Sequence, residues 1–256
     1  MGTRSLGAAP LLDADSSDGG ELRRYKEKLL ATAHKEVSVA MPGVDAAVDE
    51  AAQMVARVTG RPLEHQRPPL EAAALLVPDD LVVLVRRQEA WCLAAGVVCF
   101  PSHWSPPSKL GLPITDVHGP VPHYAEGLSG RVQRFLDRLS VDRPAWRRNW
   151  TVHASAELHA PYPVATSGPV APEEHWLRSE RQALAALALS GGILFTIRTQ
   201  QVPLAVLSDR PDVASCLAAA LRSMPPDLAS YRFGGLDVDA IAAWLERQIA
   251  TSAPIG

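Results

Sequence analysis

Pro78-Asp79-Asp80-Leu81-Val82-Val83-Leu84-Val85, followed across the polar Arg87-Gln88-Glu89 by Trp91-Cys92-Leu93-Ala94-Ala95-Gly96-Val97-Val98-Cys99-Phe100, is the stretch whose reading decides the fold. The first run opens on a turn signal and is built of Leu and Val; the second ends at Pro101. Two apolar runs of strand length joined by a short polar link predict a β-hairpin. Neither run approaches the length of a membrane span.

Downstream, Pro101 to Pro122 contains Pro106-Pro107, Pro113, Pro120 and Pro122 and so cannot be a continuous helix or a central strand. Trp104, Leu110, Leu112, Ile114 and Val117 give this loop much to bury, which predicts an ordered and functional segment. Gly130 to Leu139 reads as a helix with Val132, Phe135, Leu136 and Leu139 inward, and Trp150 to Ser155 as a short strand. Trp176 to Leu189, rich in Ala and Leu, reads as a helix broken by Gly191-Gly192. Ile193-Leu194-Phe195-Thr196-Ile197-Arg198-Thr199 is the strongest strand signal in the chain, and Val213 to Arg222 and Asp237 to Gln248 read as helices.

Upstream, Glu21 to His34 and Val44 to Val58 carry apolar residues at helical spacing, the second stopped by Gly60-Arg61-Pro62. Residues 1–20, rich in Gly, Ala, Ser and Asp, are expected to form a mobile tail, and 21–256 a single domain with its core at about 78–204. Hairpin, helices and further strands together predict an α+β fold, an antiparallel sheet with flanking helices.

The net charge of −3 argues against a phosphate-backbone binder, so no nucleic-acid partner is expected. Cys92, Cys99 and Cys216 form no CxxC pair, which fits a reducing compartment. With no signal-peptide pattern at the start and no membrane span, a cytoplasmic protein is expected.

Three groups of residues carry candidate chemistry. His103, in Cys99-Phe100-Pro101-Ser102-His103-Trp104, and His118, in Thr115-Asp116-Val117-His118-Gly119-Pro120-Val121-Pro122, stand at the edges of the proline-stiffened loop, with His123 close by. A neutral imidazole can ligate haem iron axially; a histidine hydrogen-bonded inside a loop is the plainer reading. Arg147-Arg148-Asn149-Trp150 offers two guanidinium groups that could clamp a carboxylate, or else form a solvated basic corner. Arg178, Glu180 and Arg181 cluster at the start of the expected helix, and Arg198 alternates with Phe195 and Ile197 in an apolar strand, so it needs a partner if its face is covered. No HExxH, CxxCH, GxSxG or phosphate-binding glycine loop is present.

The strings CFPSHW, SKLGLPITDVHGPVPHY, RRNW and LRSERQALAALALSGGILFTIRT, in this order, resemble the haem-dependent oxidative N-demethylase family, also called the dimethylamine monooxygenase haem subunit. The resemblance spans roughly Pro78 to Leu204. It implies a PAS-like core, a five-stranded antiparallel sheet with helices on one side enclosing a b-type haem. It implies oxidation of a small secondary methylamine by O2, giving a primary amine and formaldehyde. Electrons would come from NADPH through a separate flavin and iron–sulfur reductase. The family's His-x-Pro-Val-Pro string maps onto His118 to Pro122, which makes His118 the implied axial ligand to iron, with His103 as the second candidate. Arg148, Arg181 and Arg198 become candidates for propionate contacts, and Glu180 for a distal catalytic acid. The chain departs from the family pattern at Ala188, where the family has Pro, and at Gln200, where an aromatic is usual; both bear on the substrate. A haem-binding sensor without turnover, or a related haem oxygenase acting on another amine or amino-acid intermediate, is the alternative. The oligomeric state is left open.

Overall fold

The structure, a computed structural model, describes residues 2–12, 20–163 and 168–252. Seven strands form one sheet: β1 (Arg4–Ser5), β2 (Ser38–Ala40), β3 (Asp80–Arg87), β4 (Ala90–Val97), β5 (Ala145–His153), β6 (Trp176–Ala186) and β7 (Ile193–Pro203). Their order is β1-β5-β6-β7-β3-β4-β2. The β1/β5, β2/β4, β3/β4 and β3/β7 pairs are antiparallel. The expected α+β fold is therefore present, with β5, β6, β7, β3 and β4 as five long central strands and two short strands at the edges. No helix among the described residues is long and apolar enough to cross a membrane.

The chain groups into two compact units. The first comprises Met1–Asn149, Leu158–Tyr162 and Glu180–Thr199. Here the unbroken apolar runs of β3 and β4 are explained by helices and loops on both faces, since a strand covered twice needs no polar alternation. Leu81, Val83, Val97 and Leu194 pack on one face with residues of helices Glu21–Thr32, Asp45–Thr59 and Pro69–Ala74. Val82, Leu84, Leu93, Leu184 and Ile193 pack on the other with Tyr124, Val132 and Leu136. The hairpin contains a bulge: Val83 pairs with Ala95 but Leu84 with Leu93. The extra residue, Ala94, lets Ala94 and Ala95 both join the first cluster, while Leu93 and Trp91 turn to the second.

The second unit comprises Trp150–Glu157, Pro163–Ser179 and Gln200–Gly256. Its core gathers Val152, Leu204, Leu217, Leu221, Phe233, Trp244 and Leu245. Helices Pro211–Arg222 and Val238–Ser252 stand where the spacing predicts them, and a third, Pro226–Phe233, lies between them.

Two expectations are corrected. Trp176–Ala186 is a strand, not a helix. The Ala and Leu content suggested helix, but the segment lies between β5 and β7 in the sheet, where propensity yields to pairing. Ala183 and Ala185 are buried, so small residues serve a strand interior here. The mobile tail does not hold for residues 4–12: Arg4–Ser5 pairs with β5, the amide of Leu6 donates to the Pro144 carbonyl at 2.8 Å, and Leu12 is buried in the first cluster. Met1 and residues 13–19 lie outside the described residues.

Candidate functional site

The proline-rich loop is fixed to the edge of β4 just beyond the reach of β2. β2 pairs with Ala95, Gly96 and Val97. Further along, the Gly111 amide donates to the Leu93 carbonyl at 2.8 Å, the Leu93 amide donates to the Leu112 carbonyl at 3.1 Å, and Cys92 bridges Pro113. Gly111 sits at φ +80, a left-handed turn that a side chain would strain. The loop then enters the short helix Ile114–Val117, where Pro113 has no N–H to leave unsatisfied, and His118 closes that helix.

His118 is half-buried, and its ring stacks on Tyr124 with centroids 4.8 Å apart and planes 13° from parallel. Its Nδ1 lies 2.9 Å from the Ile114 carbonyl. A carbonyl only accepts, so Nδ1 carries the proton and Nε2 carries the lone pair. Burial pushes the imidazole pKa below its ordinary value; the Ile114 bond opposes this, and the charges of Arg147 and Lys109 reinforce it. The result is a neutral ring of fixed tautomer, the state in which histidine binds metals. Nε2 meets no hydrogen-bond partner among the described residues.

Tyr124 is 4 % exposed, and its hydroxyl is buried without a hydrogen-bond partner among the described residues. Burial raises its pKa, opposed by the charge of Arg147. Arg147 is half-buried, and its guanidinium makes no hydrogen bond or close ion pair among the described residues. Burial lowers its pKa, while Glu180 and Tyr124 oppose the shift. Glu180 on β6 is buried and accepts from Gln182 Nε2 at 2.8 Å and Asn149 Nδ2 at 3.4 Å. Alternation along β5 puts Arg147 and Asn149 on one face; along β6, Glu180 and Gln182 share the face of Leu184, in the cluster that contains Tyr124. His118, Tyr124, Arg147 and Glu180 thus share one side of the first unit's sheet.

The three arginines singled out from sequence lie on the other side. Arg148 is exposed, 5.8 Å from the Trp146 ring. Arg181 lies 5.6 Å from the same ring and donates to the carbonyls of Pro10 and Leu11. Arg198 shares the parity of Leu194, in the opposite cluster, and donates from Nη1 to the Thr199 carbonyl at 2.7 Å. His103 is exposed at a left-handed bend, φ 57, with its amide bonded to the Ala160 carbonyl at 2.7 Å. A surface groove lined by Arg23, Arg61, Leu63 and Leu76 contains none of these candidates.

Sequence reasoning missed Tyr124, Asn149 and Gln182, and took Arg147 only as half of a basic corner. The missing signal was strand extent. Starting β5 at Trp150 hid the alternation that separates Arg147 from Arg148; the strand begins at Ala145.

The sequence model of one protein family, described as haem-dependent oxidative N-demethylase, alpha subunit-like, matches residues 56–237, well over half of the chain.

Proposed function

Because this chain belongs to the haem-dependent oxidative N-demethylase, alpha subunit-like family, we propose that it is a haem-dependent monooxygenase that oxidises a small secondary methylamine. The observation that carries this reading is the imidazole of His118: its Nδ1 proton is committed to the Ile114 carbonyl and its Nε2 is left without a hydrogen-bond partner among the described residues. The residues fit the group the family implies. His118 has the tautomer and charge state in which an imidazole would hold a haem iron. The buried, unpartnered hydroxyl of Tyr124 beside it also calls for a polar atom that the described residues do not provide. In the PAS-like reading, the haem would lie on the Tyr124 side of the five-stranded core.

When bound, the haem would supply the O2-dependent oxidation of an N-methyl group. The overall balance is dimethylamine, O2 and two electrons with two protons giving methylamine, formaldehyde and water. The electrons would come from NADPH by way of a separate flavin and iron–sulfur reductase, in keeping with an alpha-subunit-like protein that works with partners.

The chain's own residues have separable tasks. His118 holds its proton at Nδ1 and presents Nε2. Its acceptor is a neutral carbonyl rather than a carboxylate, so the ring stays a neutral imidazole and donates modestly. Tyr124 fixes the ring's rotation by stacking against it. Glu180, held by Asn149 and Gln182, places an acidic side chain on the same side of the sheet.

The test is spectroscopic first. Purified protein supplemented with haem should give a Soret band with an imidazole-ligated ferric spectrum. That spectrum should be lost in His118→Ala and kept in His103→Ala; the reverse pattern overturns the assignment of His118. With a reductant and O2, the haem-loaded protein should release formaldehyde from dimethylamine. Haem binding without turnover on any secondary methylamine would favour the sensor reading.

A further inference from the structure

Four arginines compete for the carboxylates of any porphyrin bound here, and their surroundings separate them. Arg148 and Arg181 are engaged with Trp146, and Arg181 also holds the Pro10 and Leu11 carbonyls. Arg198 bonds the Thr199 carbonyl. Arg147 alone of the four has no hydrogen bond, no close ion pair and no aromatic ring against it among the described residues, although it is half-buried. A half-buried guanidinium that meets no protein acceptor keeps its donors open to an acceptor that arrives with a ligand. The second observation is independent. The Tyr124 hydroxyl, on a side chain only 4 % exposed, is also unpartnered among the described residues, on the side of the sheet that Arg147 shares. Both groups are donors, and they stand on the His118 side of the sheet. Glu180 accepts from Gln182 and Asn149 at one oxygen, Oε2, and its charge also bears on Arg147.

We propose that Arg147 and Tyr124 form a two-point carboxylate site that receives a propionate of the haem held at His118. This rests on the haem reading of the preceding section. A planar guanidinium can take both oxygens of a carboxylate, and the phenol would add a further donor to the same group. The same pair could instead hold the carboxylate of an amino-acid substrate, and the experiment separates the two sources.

Wild type, Arg147→Gln, Arg147→Lys and Tyr124→Phe are titrated, ligand-free, with haem and with haem dimethyl ester, whose propionates cannot carry charge. The readouts are the Soret band, the dissociation constant and the melting temperature of the ligand-free proteins. Wild type should bind haem about tenfold or more tightly than the diester, the scale of one charge-assisted hydrogen bond. Arg147→Gln and Tyr124→Phe should each lose haem affinity by about that factor while binding the diester as wild type does, and Arg147→Lys should recover part of the loss. Ligand-free Tyr124→Phe should melt no lower than wild type, because it sheds an unbonded hydroxyl and keeps the stack on His118. Unchanged haem affinity in both variants, or equal weakening for haem and diester, overturns the proposal. So does a selective loss of affinity for N-methylglycine with haem binding intact, which would assign the pair to a substrate carboxylate. If wild type binds neither porphyrin, the haem reading itself fails and this site falls with it; porphyrin binding by wild type with indifferent variants removes this site alone.

Discussion

Asp80→Asn should remove a large part of the stability of the first unit while changing the side chain by a single atom. Asp80 has no exposed surface, and its two carboxylate oxygens accept from the amides of Cys99 at 2.9 Å and Phe100 at 2.8 Å. Lys26, equally buried, places its Nζ 3.5 Å from Asp80 and donates to the carbonyls of Ala74, Val77 and Asp79. The cluster ties helix Glu21–Thr32 and the start of β3 to the segment leaving β4, which leads into the loop bearing His118. Asn can accept from one amide only; its NH2 then faces the other donor, and the buried ammonium loses its counter-charge. An orphaned buried amide costs about 1–3 kcal/mol, and breaking a buried pair on one side about 3–5 kcal/mol. These figures overlap in what they count, so about 3–5 kcal/mol is the expected loss. That is a substantial share of the roughly 5–15 kcal/mol that holds a domain together. Urea unfolding followed by far-UV circular dichroism and by tryptophan emission measures it, read from midpoints where the slope is unchanged. Lys26→Met combined with Asp80→Asn restores neutrality, and the double variant should lose about 1–3 kcal/mol less than the sum of the singles. A loss below about 1 kcal/mol for Asp80→Asn, or strict additivity, would refute the reasoning.

Two further predictions concern the turn between β6 and β7. A Cβ on Gly192 would stand 3.1 Å from the Leu84 carbonyl oxygen of β3 and 3.3 Å from Leu187 Cδ1. The sheet backbone cannot retreat, so Gly192→Ala should cost about 1–3 kcal/mol, and a thermal melt equal to wild type would contradict this close approach. Glu50 receives the amides of Leu189 and Ser190 and the Ser190 hydroxyl. Burial raises its pKa, but these bonds outweigh burial and hold it below the ordinary 4.5. A carboxylate depressed on folding stabilises above its unfolded pKa and loses that contribution as pH falls through the folded value. Glu50→Gln should therefore cost about 1 kcal/mol near neutrality, and the gap to wild type should close below pH 4.5. A gap that widens on acidification would reverse the sign.

What was legible in the sequence follows from how local each cause is. The hairpin of β3 and β4 was legible because two uninterrupted apolar runs flank a polar link, and double-sided burial is what such runs demand. The helices Glu21–Thr32, Asp45–Thr59 and Pro211–Arg222 were legible because each carries its own apolar stripe. β6 was not, because Gln182-Ala183-Leu184-Ala185-Ala186 has the composition of a helix and becomes a strand only beside its sheet neighbours. The ordering of residues 4–12 was not, because its causes are remote: the Pro144 carbonyl, β5 and Arg181.

The candidate site divides along the same line. His103 and His118 both stood out as histidines at the edges of a proline-stiffened loop, and the family resemblance chose His118; the Ile114 carbonyl that fixes its tautomer is four residues away on the same turn. The arginines depended on parity. In a strand, a residue and its neighbour face opposite ways, so where a strand begins decides which of two adjacent guanidinium groups faces which side. Arg147 and Arg148 are adjacent in sequence, yet one is half-buried without a hydrogen-bond partner among the described residues and the other lies exposed against Trp146. Charge count and motif are blind to that difference. It is made by the pleat of β5, which turns adjacent side chains to opposite faces of the sheet.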